Sequence, residues 1–446
     1  MGALDNPKVI ASELAILNDP LTAEERPVIA ELVAELHAAS GVEEYSRLHT
    51  KLLVRYLARQ RIRDELEVER TSVRHRIAAL AAQDPKPIDD MRAQQQLLGR
   101  MDETGRVQVA LAAHTRAIAD GLVWKALRYD RAAITVLARG TRVDRLADGV
   151  GLEAELAALG TLWEQQHALT VHNDLATILR HGDLTTIRPD ERSVEIREIK
   201  ATAQPGPNAP QAVRLSAATT LINTGSAFDP QSGRTERLHR LAVEPRTFFG
   251  DLAELIEESR AGGYAHGSLG AMQHVTVIDY RAWAGREDEL GARDAEVRRQ
   301  LGWEPERKTF EWLASLRRIR DRRASFGSLA PLPIFPLDPE DIADLMLGFL
   351  EIRTILRGDL LEQAFADRGI AAEVEFEADR DDVFLRVARG PVSMVIPPSL
   401  RERMLFELLT PEAVVDIVAA TLDLLAADPE LQQDFLPGSD ESGIWA

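Results

Sequence analysis

The chain predicts a helix-rich α+β protein in three regions: a helical N-terminal region over 1–150, a compact mixed α/β domain over 151–290, and a C-terminal helical α+β region over 291–446. Three observations carry this. With 446 residues the chain exceeds one ordinary core. Its first third repeats apolar residues every three, four or seven positions, and from 151 onward short alternating runs interleave with helical ones.

In the first region Leu48, Leu52, Tyr56, Ile62, Leu66, Val73, Ile77 and Leu80 form the apolar series, set among dense mixed charge as in "RQRIRDELEVERTSVRHRIAAL". This spacing predicts a long charged helix or helical hairpin, broken at "AAQDPKPIDD" by two prolines. An arm of this kind suits oligomerisation or binding of a partner protein. "IADGLVWKALRYDRAAITVLARG" predicts a further, more apolar helix ending at Gly140.

In the middle region "GLEAELAALGTLWEQQHAL" predicts a helix with Leu152, Leu156, Leu159 and Trp163 on one stripe. "LATILRHGDLTTIRP" predicts one or two strands, "PDE" a turn, and "RSVEIREIKA" a second strand. Helices follow over "QAVRLSAATTLINTG", stopping at Gly225, and over "RTFFGDLAELIEESRAGG", and then a strand over "HVTVIDY". Beyond these, "GWEPERKTFEWLASLRRIRDRRASFG" predicts a helix with an arginine-rich end. Asp338 is placed to cap a helix with Pro339 in its first turn, "AAEVEFEADRDDVFLRVA" predicts a hairpin, two helices follow, and "PGSDESGIWA" predicts a loose tail.

Composition excludes several classes. A hydrophobic fraction of 45% and a charged fraction of 28% belong to a folded globular protein. Without cysteine there is no disulfide, thiolate metal site or cysteine nucleophile. No long uncharged apolar run and no basic leader appear, so a cytoplasmic protein with no membrane partner is expected. A net charge of −19 opposes general attraction to polyanions, although a local basic groove would still act within roughly 8 to 10 Å. There is no GxxxxGK[ST] motif for a nucleotide-driven motor. "HGSLG" at 266–270 lacks the first glycine of a nucleophile elbow and predicts a loop, and the histidines show no HExxH and no close metal spacing, although His181, two residues from Asp183, is expected on the same strand face.

One position stands out chemically. Basic residues are nearly all arginine, lysine occurring only at 8, 51, 86, 125, 200 and 308, yet "EIREIKATAQ" has lysine at 200. A lysine is a compact ammonium whose pKa moves on burial, whereas arginine stays protonated. In the strand's alternation Val194, Ile196, Glu198 and Lys200 share one face, with Glu195, Arg197 and Ile199 on the other. If the two strands pair, Asp183 and Glu198 reach the same end of the sheet. Two hard oxygen ligands there suit Mg²⁺, which keeps several waters, and a neighbouring lysine can orient the attacking one. The plainer alternative is a surface ion pair of Glu198 with Lys200 on an edge strand.

Asp183 followed by Glu198-Ile199-Lys200, between two helices, resembles the PD-(D/E)xK nuclease superfamily, the restriction-endonuclease-like fold, over roughly 151–285. His181-Gly182 stands where the motif's proline precedes the aspartate. The resemblance implies an Mg²⁺-dependent (or Mn²⁺-dependent) nuclease that hydrolyses phosphodiester bonds, DNA more than RNA, with a role in prokaryotic antiviral defence. It implies that Asp183, Glu198 and the Ile199 carbonyl hold the metal and that Lys200 serves the attacking water. Glu155 on the first helix, with Glu153 as its competitor, would complete the site, and Gln211 and Arg214 on the crossover helix would meet a phosphate. Arg317, Arg318, Arg320, Arg322 and Arg323 are expected either to track phosphates or simply to favour a helix C-terminus. The alternative function is a non-enzymatic assembly or binding protein with an inactive nuclease-like fold and a helical oligomerisation region.

Overall fold

The computed structural model describes residues 19–83, 87–139, 150–166, 168–199, 209–229, 233–241, 243–283, 289–300, 311–315, 329–377, 382–428 and 431. The described chain is helix-rich α+β with small antiparallel sheets.

Helix α1 (Pro20–Ala38) starts where the Asp19 carboxylate accepts the Leu21 N–H, and it buries Ile29, Leu32, Val33 and Leu36. Helices α2 (Val42–Ala81) and α3 (Ile88–Ala126) form the expected hairpin, broken at the proline segment. Forty residues at 1.5 Å each make α2 about 60 Å long. Leu48, Leu52 and Tyr56 near its start are buried beside the second half of α3, and Val73 farther along is buried as well, whereas Ile62 and Val68 face solvent.

The single helix expected to run to Gly140 is instead two. Arg128 and Tyr129 adopt left-handed backbone, and Asp130 then caps α4 (Arg131–Leu137) by accepting the Ala133 N–H. Nothing in the local sequence marks that break with glycine or proline. Gly140 lies outside the described residues.

Helix α5 (Val150–Gln166) is followed by β1 (Leu169–His172), β2 (Leu184–Arg188) and β3 (Ser193–Arg197), an antiparallel sheet in that order. Strand β1 corrects the expectation that the helix reaches position 169. All four of its residues are buried, and β-branched Thr170 and Val171 suit the pairing with β2. The "LATILR" segment is a 3-10 turn and loop rather than a strand.

Helix α6 (Ala209–Thr224) ends at Gly225, left-handed as expected, and β4 (Ser226–Asp229) pairs with β5 (Arg234–Arg237) in a separate hairpin. The edge of β3 is served instead by a side chain. Asn223 accepts the Val194 N–H and donates to the Val194 carbonyl, as a neighbouring strand would.

Helix α7 (Phe249–Gly262) leads into β6 (Tyr264–Leu269) and β7 (Gln273–Asp279). "HGSLG" is thus the end of a hairpin strand and its turn. After the short helices α8 (Tyr280–Trp283) and α9 (Leu290–Gln300) come β8 (Glu311–Ser315), α10 (Pro339–Leu347) and β9 (Leu350–Arg357). These strands assemble in the order β6-β7-β9-β8. "EWLAS" is therefore strand where helix was expected, because β9 offers it a hydrogen-bonding edge. Asp338 does cap α10, accepting the Glu340 N–H.

The boundary expected at 290 runs through this sheet, and the one near 150 runs through a continuous core. One hydrophobic cluster extends from Ile29 to Ile352 and includes Leu408, and a second begins at Leu356. The second cluster lies among α11 (Gly358–Ala366), the sheet β10 (Ala371–Glu377), β11 (Asp382–Arg389) and β12 (Val392–Val395), and helices α12 (Pro398–Phe406) and α13 (Pro411–Ala427). The expected hairpin is β10 with β11, and the expected two helices are α12 and α13.

Candidate functional site

At one end of the β1-β2-β3 sheet the chain gathers acidic residues from three elements. Leu184 of β2 lies opposite His172 of β1 and Arg197 of β3. One residue before the strand, Asp183 is hydrogen-bonded to both neighbours: its N–H donates to the Arg197 carbonyl at 2.8 Å, and its carbonyl accepts the Asn173 N–H at 2.9 Å. Asp183 is thus held between Asn173 and Arg197, and the residues that follow these two, Asp174 and Glu198, are close enough for their charges to act on it. The Ile199 N–H donates to Asp183 Oδ2 at 2.6 Å, which fixes the carboxylate.

Gly182 makes this placement attainable. Its φ of +67° suits glycine, and a Cβ there would lie 2.6 Å from the Arg197 carbonyl oxygen. That left-handed residue also breaks strand alternation, so His181 does not share a face with Asp183. His181 instead places Nε2 3.2 Å from the Val136 carbonyl. Burial holds its pKa below the ordinary value, and the charges of Arg139, Arg214 and Arg180 push the same way, against the Val136 carbonyl.

Glu155 is buried on α5, with Oε2 2.8 Å from His172 Nε2, while Glu153 is exposed. The backbone N–H of His172 donates to His49 Nε2 at 3.0 Å, and the His49 ring meets Trp163 edge-on. Burial, with neighbouring His172 acting the same way, pushes His49 down to about 3, so its ring stays neutral with Nε2 as acceptor.

The acidic group is electrostatically crowded. Burial raises Asp183 to about 6 despite the Ile199 N–H, and Glu155, Glu198 and Asp174 add to the rise. Asp174 is pushed upward too, chiefly by burial, with His172 and Arg116 opposing and Glu155 reinforcing. A site that resists its own negative charge favours a cation or a proton.

The loop from β1 to Asp183 is anchored by the helical region. Buried Asp120 of α3 accepts the Thr177 hydroxyl and the Ile178 N–H, and the Leu137 carbonyl at the end of α4 accepts the Arg180 N–H. Asn173 donates its side-chain N–H groups to the carbonyls of His181 and Gly182.

Of the expected residues, Asp183, Glu198, Ile199 and Glu155 meet at this end of the sheet. Gln211 is half-buried and Arg214 exposed on the first turns of α6, with the Arg214 charge felt at His181. Lys200, Arg317, Arg318, Arg320, Arg322 and Arg323 lie outside the described residues. Sequence reasoning missed Asp174 and the role of His172. "VHNDL" carries their signal, an apolar run ending in three polar residues.

Among the described residues no group of three His, Cys, Asp or Glu side chains is placed to hold a metal ion. The donor chemistry nonetheless suits a hard divalent cation, since Mg²⁺ usually takes only one or two carboxylates and keeps its waters. Comparisons with protein-family models, curated proteins and solved structures find no match for this chain.

Proposed function

We propose that the chain is a metal-dependent nuclease that hydrolyses phosphodiester bonds of nucleic acid, built on a PD-(D/E)xK-like, restriction-endonuclease-like core. The observation that carries the proposal is the meeting of Asp183 and Glu198 at one end of an antiparallel sheet, where Glu155, Glu198 and Asp174 all hinder ionisation of Asp183. The order helix α5, three strands and helix α6 supports the same reading.

In this reading Asp183, Glu198 and the Ile199 carbonyl hold Mg²⁺ or Mn²⁺. The bound metal would supply Lewis acidity toward a phosphate and lower the pKa of a bound water. Asp183 keeps one oxygen for that duty because the Ile199 N–H fixes the other. Glu155 is held by His172 at the foot of the site, and Lys200, two residues past Glu198, orients the attacking water. Arg214 and Arg180 supply positive charge for a phosphate close to His181. Gln211 on the first turn of α6 adds a polar contact.

The test is cleavage of single- and double-stranded DNA and RNA by the purified full chain with Mg²⁺ or Mn²⁺. Asp183→Ala and Lys200→Ala should each abolish it, and Lys200→Arg should fail although it keeps the charge. Activity surviving both alanine substitutions would refute the assignment. A cytoplasmic role in prokaryotic defence against foreign nucleic acid fits such an activity. Among the described residues no helix is long and apolar enough to cross a membrane.

One observation favours a second reading, a binding or assembly protein. The α2–α3 hairpin exposes Val54, Val68, Ile88 and Val109. Sedimentation that shows self-association through the hairpin, with no cleavage and no metal-induced rise in melting temperature, would support it.

A further inference from the structure

A second site lies away from the acidic cluster and independent of the nuclease reading. The end of α3, the joint before α4, the segments around 241–249 and 330–336, and the α12–α13 connection surround a cleft of about 350 Å³. That volume is within the usual range for small-molecule sites, about 300 to 1,000 Å³. Its wall is apolar and aromatic, with Trp124, Leu241, Phe249, Phe335, Leu409 and Ile417.

Three charged residues line the same cleft: Arg131, Arg403 and Glu407. The Glu407 carboxylate is saturated. It accepts Arg131 through both terminal nitrogens at 3.0 and 2.9 Å, Arg403 Nε at 3.1 Å and the Ala330 N–H at 2.6 Å. A carboxylate has about four lone-pair sites, so Glu407 has none left for the rest of Arg403. Arg403 is 8% exposed, and among the described residues its terminal nitrogens meet no acceptor. A guanidinium so buried keeps four N–H donors in a fork shaped for an oxyanion.

The charge is held firmly. Burial pushes Glu407 upward, but Arg131 and Arg403 beside it outweigh that and keep it below the ordinary carboxylate value. Arg131 also lies over the Trp124 ring at 4.7 Å. Left-handed backbone gathers at the same place: Tyr129, which lines the cleft, has φ 60°, and Leu408, between two lining residues, has φ 49°. Strain of this kind concentrates at ligand clamps.

We propose that this cleft binds a small organic oxyanion, an apolar aromatic or branched body carrying one carboxylate or phosphate. The head sits on the terminal nitrogens of Arg403 and the body lies against Trp124, Phe249 and Phe335. Carboxylate and phosphate share this chemistry, so both are tested.

The experiment is calorimetric titration of the full chain with 1-naphthoate, with phenyl phosphate, and with the neutral 1-naphthamide. At least one anion should bind about tenfold or more tighter than the amide, a difference expected of a charge-assisted pair. Arg403→Met should remove that preference and leave amide binding unchanged, while Glu407 keeps Arg131. Val243→Phe, at a partly buried lining position away from the ion pairs, should block every probe and serves if Arg403→Met does not fold. Equal binding of amide and anions, an unchanged preference in Arg403→Met, or no anion binding up to about 10 mM would each overturn the proposal.

Discussion

Asp120 offers the sharpest test of how the helical region positions the candidate site. It is 6% exposed on α3 and accepts both the Thr177 hydroxyl and the Ile178 N–H of the loop that leads to Asp183. Burial raises its pKa from 3.8 to about 6, against the lowering effects of Thr177, Arg116 and the loop N–H groups. A raised carboxyl pKa means that the folded state prefers the protonated form. Its contribution to stability is therefore greatest below the unfolded pKa and declines as pH rises through about 6. At roughly 1.36 kcal/mol per unit, the decline is on the order of 3 kcal/mol.

Asp120→Asn retains an acceptor for the Ile178 N–H, and the Thr177 hydroxyl can turn to accept from the amide, but the substitution cannot ionise. Thermal midpoints of the two proteins should therefore differ least near pH 4.5 and diverge toward pH 8, with Asp120→Asn the more stable at the higher pH. Asp120→Ala should be destabilised at every pH by about 1 to 3 kcal/mol, because it strands buried donors. Parallel pH profiles for wild type and Asp120→Asn would refute the reasoning.

Two further substitutions test the frame of the site. Gly182→Ala forces a Cβ to 2.6 Å from the Arg197 carbonyl that receives the Asp183 N–H, so it should cost about 2 kcal/mol or more and displace Asp183. A melting temperature within experimental error of wild type would contradict that geometry. Asn223→Ala removes the side chain that serves both backbone groups of Val194 and should cost about 1 to 3 kcal/mol. Hydrogen exchange at the Val194 amide should accelerate, and unchanged protection there would count against the strand-mimicking role.

Where a pattern is local, the sequence was legible. The heptad-like spacing over 48–80 and the prolines near 85 foretell the α2–α3 hairpin, and Asp338-Pro339 foretells the start of α10. The alternation at 193–197 and the turn before it foretell the β2–β3 pairing, and Val194 and Ile196 are buried as that alternation requires. The choice of Glu155 over Glu153 follows from the leucine stripe, which carries one inward and leaves the other exposed.

Elements decided by partners distant in sequence were not legible. Strand β8 carries residues that suit helix equally well, and the hydrogen-bonding edge that β9 contributes decides between the two. The break at Arg128-Tyr129 is a backbone event, in which the Tyr129 N–H reaches back to the Trp124 carbonyl and Asp130 caps the next helix, and strands from both sides of position 290 share one sheet.

The same division holds for the site. In the sequence, the strand alternation, the flanking helices and the resemblance together point to Asp183, Glu198 and Lys200 as candidates, since side-chain chemistry and strand periodicity are properties of the local chain. Burial and long-range hydrogen bonding then bring Asp174 beside Asp183, join Glu155 to His172, and tie the loop to Asp120. The cleft around Arg403 has no sequence signature at all, because its walls come from segments separated by as many as about 290 positions and exist only once the tertiary packing has closed.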